Sequence, residues 1–276
     1  MMPTTRATTR RRPTDDAPVI RAALLALAVA IFALLIAAPA AIVLAGALHL
    51  GIGHYAHAIA DPSTIAAARL TLVVLAYAIP VNVVFGVAAA WSIARFDFPG
   101  RAALVVALDL PLAVSPVISG LVFVLLFGAR APLGAWLIAH RTPIVFATPG
   151  IVLATVFVTF PFVARELIPA FASLETSVDE AAIVSGATGW QLLTRITLPS
   201  VRTAVISGVA LAAARAAGEF GAVAVVSGSI AGRTNTLPLH IASLYNAGDS
   251  TGAFAVASLL VALALITLAI RWASER

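Results

Sequence analysis

The sequence predicts an all-α membrane protein with six transmembrane helices. Of its 276 residues, 61% are hydrophobic and only 11% are charged, a composition that excludes a soluble globular domain. The chain also contains several apolar runs of about 20 residues or more, the length at which a helix crosses a bilayer. Each predicted span rests on one of these runs.

The predicted spans cover residues 22–48, 70–94, 102–128, 144–164, 203–226 and 252–270. The first, second and fourth contain no charged residue and are long enough without qualification. The third contains Asp109, the fifth contains Arg215 and Glu219, and the sixth is just long enough to span.

The two sides of the predicted bundle differ in their arginine content. With the N-terminus inside, the cytoplasmic segments hold 12 arginines, whereas the outer loops hold four, Arg69, Arg130, Arg141 and Arg233. Because basic residues near helix ends stay on the cytoplasmic side, both termini are predicted inside.

The chain divides into four segments. Residues 1–20 are predicted to be a disordered basic cytoplasmic tail, which we interpret as a topology signal rather than a nucleic-acid-binding arm. Residues 21–64 hold the first helix and an outer loop, and this helix is too long for the core of a signal peptide, so we expect a retained anchor. Residues 65–270 form the main transmembrane domain, and residues 271–276 a cytoplasmic tail.

Two residue types are absent from the sequence. Without Cys, the chain has no disulfides, no thiolate catalysis and no Cys-ligated metal. Without Lys, the nucleotide-binding sequence G-x-x-x-x-G-K-[ST] cannot be written. Any ATP on which this protein depends must therefore be hydrolysed by another polypeptide.

Three histidines, His49, His54 and His57, follow the first predicted helix. Neutral imidazole is a common metal ligand, but no carboxylate stands at a spacing that would complete a site. We interpret them as part of an interfacial rim with Tyr55 and predict no metal site.

The segment GDSTG, residues 248–252, matches the G-x-S-x-G pattern of hydrolases. That pattern carries chemistry only on a strand-to-helix turn, whereas here it precedes an apolar helix. We interpret Asp249, Ser250 and Thr251 as N-cap residues of the sixth helix and predict no catalytic residue.

The ionisable residues within the spans are candidates for a translocation path or gate. A charge near the middle of a bilayer costs about 2.5 to 3.5 kcal/mol on insertion scales, so such residues usually face a bundle interior. Arg215 and Glu219 are four residues apart, which predicts that they share a helix face. They form either a structural ion pair between helices or part of the path. Asp109 lies near Pro111 and Pro116, where a helix is expected to bend.

Hydroxyl side chains in the third and fourth spans are further candidates for the path. They are Ser115, Ser119, Thr155 and Thr159. In membrane interiors, Ser and Thr more often tie helices together than bind a ligand, and both interpretations stay open here.

The longest predicted cytoplasmic loop, residues 165–202, contains two helical patterns separated by Gly186 and Gly189. Ala181 and Ala182 give the first helix a small-residue surface, and Trp190 gives the second an apolar one. Gly186 is expected to adopt the positive φ needed where the first helix ends. The pattern predicts a helix-turn-helix that fits into a partner.

This loop resembles the signature EAA-x3-G-x9-I-x-LP of ABC importer membrane subunits. The seven matching residues are Glu180, Ala181, Ala182, Gly186, Ile196, Leu198 and Pro199. The resemblance implies a type I ABC transmembrane domain. It also implies that these residues, with Trp190, form a coupling helix docked on a separate ATP-binding subunit, which supplies ATP and Mg.

Three further segments resemble sulfate/thiosulfate permeases, the last of them their W-type subunit in particular. They are DLPLAVSPVISGLVFVLLFG at 109–128, VTFPFVARELIPA at 158–170 and ARAAGEFGAVAVVSGSIAGRTNTLPLHIASLYN at 214–246. The resemblance covers about residues 65–270 and implies a multi-pass subunit of the bacterial inner membrane that imports sulfate or thiosulfate and catalyses no bond change itself. The implied partners are two ATP-binding subunits, a second paralogous permease and a periplasmic or lipid-anchored binding protein, with no nucleic acid.

Two alternatives stay open at this point. The first is a molybdate permease, in which two copies of one chain form the pore, because the segment around Arg215 resembles that family as well. An ion-coupled secondary anion carrier would need no ATP-binding subunit.

Overall fold

The structure is a computed structural model that describes residues 18–274, and these residues form fifteen α-helices and no strand. The helices α1 to α15 span Pro18–Phe32, Ala38–Leu48, Ile52–Ala60, Pro62–Arg95, Arg101–Ala113, Pro116–Phe127, Pro132–Ala139, Thr148–Ala172, Thr176–Val184, Gly189–Leu192, Leu198–Ser200, Arg202–Ala217, Gly221–Ser227, Leu237–Asn246 and Ser250–Ser274. Two π-helical segments, Ala33–Ala37 and Leu193–Thr197, join α1 to α2 and α10 to α11. The all-α prediction is confirmed for this part of the chain.

The two ends of the chain were predicted to be cytoplasmic tails. Residues 1–17 of the basic tail and residues 275–276 of the C-terminal tail lie outside the described residues. Residues 18–20, assigned to the tail by sequence, belong to α1.

Four stretches of the described chain are long and apolar enough to cross a membrane. They are Ile20–Leu48, Pro62–Arg95, Thr148–Ala172 and Ser250–Ser274. Two bent pairs meet the same test when each is taken together: α5 with α6, bent by 104°, and Gly189–Ser200 with α12, bent by 75°. The described residues thus contain four to six candidate spans.

The core is built around α4 and α8. Buried residues recur along α4 every three or four positions and therefore form one stripe. They are Thr64, Ala67, Thr71, Val74, Ala78, Asn82, Gly86, Ala90 and Ile93. On α8, Val163, Leu167 and Phe171 are fully buried. A side chain at Gly86 would place its Cβ 2.7 Å from that of Val163, so the close contact of these helices requires glycine there.

The third and fifth predicted spans are broken in the structure. The third bends at Val114 and Ser115, because the residue before Pro116 is pushed out of the helical region, and Ser115 has ψ 133°. The fifth was predicted as one helix over 203–226, but α12 ends at Ala217 and α13 begins at Gly221. A carboxylate in this second break replaces the missing backbone interactions, as described below.

The fourth predicted span is longer than expected. Its run of uncharged residues ends before Arg165, yet α8 continues to Ala172. Arg165 forms an ion pair with Asp109 of α5, and this pairing satisfies its charge within the helix. The loop predicted over residues 165–202 consequently begins with two helical turns.

Candidate functional site

The loop with the EAA signature folds as helix, turn and helix. The first helix, α9, ends in a Schellman motif: the N–H of Gly186 donates to the carbonyl of Ile183 at 2.9 Å, and that of Ala187 donates to the carbonyl of Ala182 at 3.0 Å. Gly186 has φ 86°, so the predicted positive φ is confirmed. No atom would lie within 4 Å of a Cβ at this position, so backbone conformation rather than space demands glycine.

The second helix of the loop, α10, begins at Gly189. Thr188 caps it with a complete capping box: the N–H of Gln191 donates to Thr188 Oγ1 at 3.3 Å, and the N–H of Thr188 donates to Gln191 Oε1 at 2.9 Å. The two glycines that suggested a turn therefore have different structural roles, since Gly186 ends one helix and Gly189 starts the next.

The signature residues divide into an exposed group and an anchoring group. Glu180, Ala181 and Gly186 are exposed, Ala182 is half-buried, and Trp190 is 72% exposed. Ile196 and Leu198 are half-buried, and Leu198 packs against the core that contains Phe171, while Pro199 is exposed. The loop thus presents an apolar surface, to which Val184 contributes at 88% exposure, on a base fixed to the core.

An ion pair ties α9 to the end of α4. Arg95 Nη2 lies 2.9 Å from Asp179 Oδ2, and Arg95 Nη1 donates to the carbonyl of Leu174 at 3.3 Å. The two side chains are only 12% and 17% exposed. Sequence reasoning missed this pair, although Asp179 directly precedes the signature and Arg95 directly follows an apolar run.

Arg215 and Glu219 are paired across the break between α12 and α13. Arg215 Nη1 lies 2.6 Å from Glu219 Oε2, with side-chain exposures of 35% and 1%. Glu219 Oε1 accepts a hydrogen bond from the N–H of Ala222 at 3.0 Å and so caps α13. Glu219 therefore lies beyond the end of α12, not on its face as predicted, because Gly218 ends that helix.

The two broken helices meet at their breaks. A Cβ added to Gly221 would lie 3.0 Å from Pro116 Cβ, and one added to Gly120 would lie 2.7 Å from the carbonyl oxygen of Ala222. The starts of α6 and α13 are therefore adjacent, and Ser115 lies in the first break. Backbone that leaves the helix at membrane depth is tolerated where it is buried in protein or lines a cavity.

Asp109 of α5 forms an ion pair with Arg165 of α8. Its Oδ1 accepts from Arg165 Nε at 2.9 Å and lies 2.7 Å from Arg165 Nη2, with both side chains about half exposed. The neighbouring Glu166 accepts from Ser207 Oγ at 2.9 Å and lies 3.8 Å from Arg271 Nη2. Sequence reasoning missed Arg165 and Glu166 because it placed both outside the membrane span.

Two of the four predicted hydroxyls donate to a backbone carbonyl one turn earlier, and Thr155 Oγ1 is buried without a hydrogen-bond partner among the described residues. Ser119 Oγ donates to the carbonyl of Ser115, and Thr159 Oγ1 donates to the carbonyl of Thr155. Thr159 Oγ1 also accepts from Asn82 Nδ2 at 2.7 Å, which joins α8 to α4. Sequence reasoning missed Asn82, whose signal is an amide side chain inside the apolar run 70–94.

The two other sequence motifs lie away from these helices. Asp249 Oδ1 accepts from the N–H of Gly252 at 2.8 Å, which confirms it as the cap of α15. His54 and His57 lie on α3, whose Tyr55 hydroxyl is 3.0 Å from Ser258 Oγ of α15. Across residues 18–274, no three His, Asp or Glu side chains are grouped closely enough to hold a metal ion.

Comparison with known proteins identifies relatives with this architecture. Residues 82–275 match the family described as "Binding-protein-dependent transport system inner membrane component". The chain is 52% identical over 210 residues to the sulfate transport system permease protein CysW of Escherichia coli (strain K12), covering 76% of this chain and 72% of the relative. It is 44% identical over 248 residues to CysW of Synechocystis sp., covering 90% of each chain.

A solved structure shows the same fold at low sequence identity. A chain of a bacterial alginate ABC transporter, crystallised in complex with an alginate pentasaccharide-bound periplasmic protein, aligns with a TM-score of 0.74 at 18% identity and covers 93% of this chain and 92% of that one. The family match over residues 82–275 and the identity to the CysW proteins establish the assignment. This chain belongs to the family of binding-protein-dependent transport system inner membrane components.

Proposed function

We propose that this chain is a permease subunit of an ATP-driven importer of sulfate or thiosulfate. The identity of 52% with a sulfate permease over 210 residues carries the proposal. The chain forms part of the translocation path and changes no covalent bond. Its lack of Lys, and therefore of a P-loop, assigns ATP and Mg to a partner chain.

The implied assembly contains three kinds of partner protein. Two copies of an ATP-binding subunit lie on the cytoplasmic side, a second, paralogous permease completes the pore, and a periplasmic or lipid-anchored binding protein delivers the anion. The bacterial alginate ABC transporter, which was crystallised in complex with a periplasmic protein, supports the last of these partners. The anion itself is the substrate.

The loop at residues 173–201 is the coupling element in this proposal. Trp190 and Val184 are exposed apolar side chains that would be buried in a groove of the ATP-binding subunit, while Ala181 allows close approach. Leu198 and the Arg95–Asp179 pair fix the loop to the membrane core. A movement of the groove on the ATP-binding subunit would be transmitted through these contacts to α4 and α12.

We infer six spans, with α5–α6 as the third and α12–α13 as the fifth, so that Gly189–Ser200, which meets the length test together with α12, lies in the coupling loop. Both termini then lie in the cytoplasm, in agreement with the distribution of arginines. The coupling loop falls on the same side as the termini. A reporter fused at residues 229–248 is expected outside the cytoplasm, and a cytoplasmic signal there would contradict this topology.

The adjacent helix breaks are the proposed gate region of the path. Ser115, Ser119, Arg215 and Glu219 lie at or within one turn of these breaks, and Asp109 lies one turn before the first. Interrupted helices placed side by side at membrane depth are a recurring device for ligand sites in transporters. A path with weak contacts lets the anion leave as readily as it enters.

The coupling proposal is tested by substituting valine for Gly186. A β-branched residue at φ 86° is strained by about 1 to 3 kcal/mol, which tilts α9 against α10 without unfolding the bundle. Reconstituted with its partners, Gly186→Val should insert normally but lose most sulfate uptake and binding-protein-stimulated ATPase activity. Gly189→Ala is the matched control, since Gly189 is helical and an added Cβ there meets open space.

Different results would overturn different parts of the proposal. Normal uptake by Gly186→Val would remove the loop from coupling. Wild-type complexes that carry molybdate but not sulfate, or that purify as a homodimer of this chain, would support the molybdate alternative. Anion transport without any ATP-binding subunit would support the secondary carrier.

A further inference from the structure

Two adjoining cavities lie at the end of the molecule opposite the coupling loop, beside the first turns of α4 and α8. Their volumes are about 600 and 570 Å³, and both are lined by Thr148 and Arg233. The first is also lined by Arg141 and the second by Arg69. Arginines from three separate segments therefore line two cavities that share Thr148 and Arg233.

These arginines have no acidic partner in the described part of the chain. No carboxylate lines either cavity, and the side chains of Arg69, Arg141 and Arg233 are exposed. Five other arginines are ion-paired in the described residues. They are Arg95, Arg101, Arg165, Arg215 and Arg271. None of the ion pairs in the described residues therefore involves the three arginines at the cavities.

Hydrogen bonds within the loop hold the segment that carries Arg233 in place. Thr234, only 3% exposed, donates through Oγ1 to the carbonyl of Ser227 at 2.7 Å and accepts from the N–H of Ile230 at 3.0 Å. The N–H of Arg233 donates to the carbonyl of Ile230 at 3.1 Å. The end of α13, which this loop follows, is attached to the segment before α8, because the N–H of Phe146 donates to the carbonyl of Val226 at 2.9 Å.

We propose that Arg69, Arg141 and Arg233, with the hydroxyl of Thr148, form an entry site for a tetrahedral oxyanion dianion. A guanidinium offers several N–H donors in a fork that matches two oxygens of such an anion. Because the side chains are exposed to water, each contact is weak, which suits a site that captures an anion and then releases it. The charges also raise the local concentration of anions at the mouth of the path.

This inference rests on the proposed function for its substrate, sulfate, but it names residues that the coupling proposal does not use. The experiment uses the complete complex in proteoliposomes, with radiolabelled sulfate and the binding protein. It measures two quantities, the sulfate transported per ATP hydrolysed and the binding-protein concentration that gives half-maximal ATPase activity. The variants are Arg233→Gln, Arg141→Gln and Arg69→Gln, with Arg233→Lys as the charge-retaining variant.

We expect each glutamine variant to reduce sulfate transported per ATP by about three- to tenfold, because anions released by the binding protein escape before capture. The half-maximal concentration of binding protein should stay unchanged, and Arg233→Lys should recover much of the loss. Arg130→Gln is the matched control, since Arg130 is also exposed but lines a neighbouring cavity that is lined by neither Thr148 nor Arg233.

Three outcomes would overturn the entry site. An unchanged transport ratio in all three variants shows that the arginines do not capture the anion. A raised half-maximal concentration of binding protein, with an unchanged transport ratio, shows that they dock acidic residues of that protein instead. An equal loss in Arg130→Gln shows a general effect of surface charge. A wild-type complex that transports no sulfate would contradict the proposed function itself, so the two failures are distinguishable.

Discussion

The two ends of α4 each carry an arginine, but one arginine is exposed and the other is mostly buried in an ion pair. Arg69 and Arg95 are 26 positions apart, which corresponds to about 39 Å of helix. Arg95 is 12% exposed, ion-paired to Asp179 and bonded to the carbonyl of Leu174. Arg69 is exposed, lines a cavity and has no ion pair among the described residues.

The difference separates charges that stabilise the fold from charges that are available to a ligand. A buried pair is costly to break, because removal of one partner leaves the other charge desolvated, whereas an exposed guanidinium costs little to remove. Substitutions at the paired end should therefore affect abundance or coupling, and those at the cavity end should affect only capture of the anion.

The largest effect is expected at Arg215. Its removal leaves Glu219, 1% exposed, as a buried charge without a cation, at a cost of about 3 kcal/mol. Arg215→Gln should therefore sharply lower the amount of folded protein in the membrane and its melting temperature in detergent. Glu219→Gln should do less harm, since Arg215 is 35% exposed and glutamine retains an acceptor for the N–H of Ala222.

The double variant Arg215→Gln/Glu219→Gln separates structure from transport. Because it removes both charges, most of the stability should return. If uptake returns with it, the pair is structural; if the protein is stable but inactive, the pair belongs to the gate. A double variant as unstable as Arg215→Gln alone would contradict the buried-charge argument.

The second prediction concerns the pair that ties α9 to α4. Arg95→Ala should lower sulfate uptake by about tenfold and make ATP hydrolysis insensitive to the binding protein, because α9 loses its attachment while α4 and α8 stay packed. The exchange Arg95→Asp/Asp179→Arg should restore part of the coupling. Arg101→Ala is the control, since its pair with Asp97 is exposed, at 46% and 97%, and should contribute little.

Most of the helical framework was predictable because four of the six predicted spans are apolar runs without a charged residue. The run at residues 144–164 gave α8 within a few residues of its start, but not its end, since a charge at Arg165 was interpreted as a boundary. A charge inside a helix is satisfied by a partner distant in sequence, and Asp109 is 56 residues away. Spacing along the chain does not contain that information.

The same limit applies to the candidate sites. The turn at Gly186 followed from local backbone chemistry and was predicted correctly. The contact of Asn82 with Thr159 and that of Arg95 with Asp179 depend on how α4 packs, so no local pattern predicts them. The split of the fifth span was also missed, because Glu219 was assigned to a helix face rather than to the cap of α13.

The third prediction tests Asp109, whose pair with Arg165 is about half exposed. A pair of this exposure contributes about 0 to 1 kcal/mol, so Asp109→Asn should leave the melting temperature and the abundance close to the wild-type values. If Asp109 lies on the path, sulfate uptake should still fall by about threefold. Uptake equal to the wild type would exclude Asp109 from the path. Arg165→Gln, which removes the other partner of the pair, should have the same effects on stability and uptake as Asp109→Asn.

The smallest effect is expected from His240, the buried titratable group near the cavity end. It is 5% exposed on α14, and its Nε2 lies 3.1 Å from Thr64 Oγ1. Burial lowers the pKa of His240 below its ordinary value of 6.5, and the Asp61 carboxylate opposes this shift only in part. The folded state therefore favours the neutral imidazole.

The direction of the pH effect follows from this preference. Below about pH 6.5 the unfolded chain takes up the proton more readily than the folded one, so stability decreases as the pH falls through the folded pKa. The hydrogen bonds from Ser63 lower the pKa of Asp61, which keeps that carboxylate charged over the same range.

Between about pH 7.5 and pH 5.5, the melting temperature of the wild type should fall by a few degrees more than that of His240→Gln. His140→Gln, which replaces an exposed histidine, is the control variant. Equal slopes for wild type and His240→Gln would show that burial on α14 does not disfavour the imidazolium.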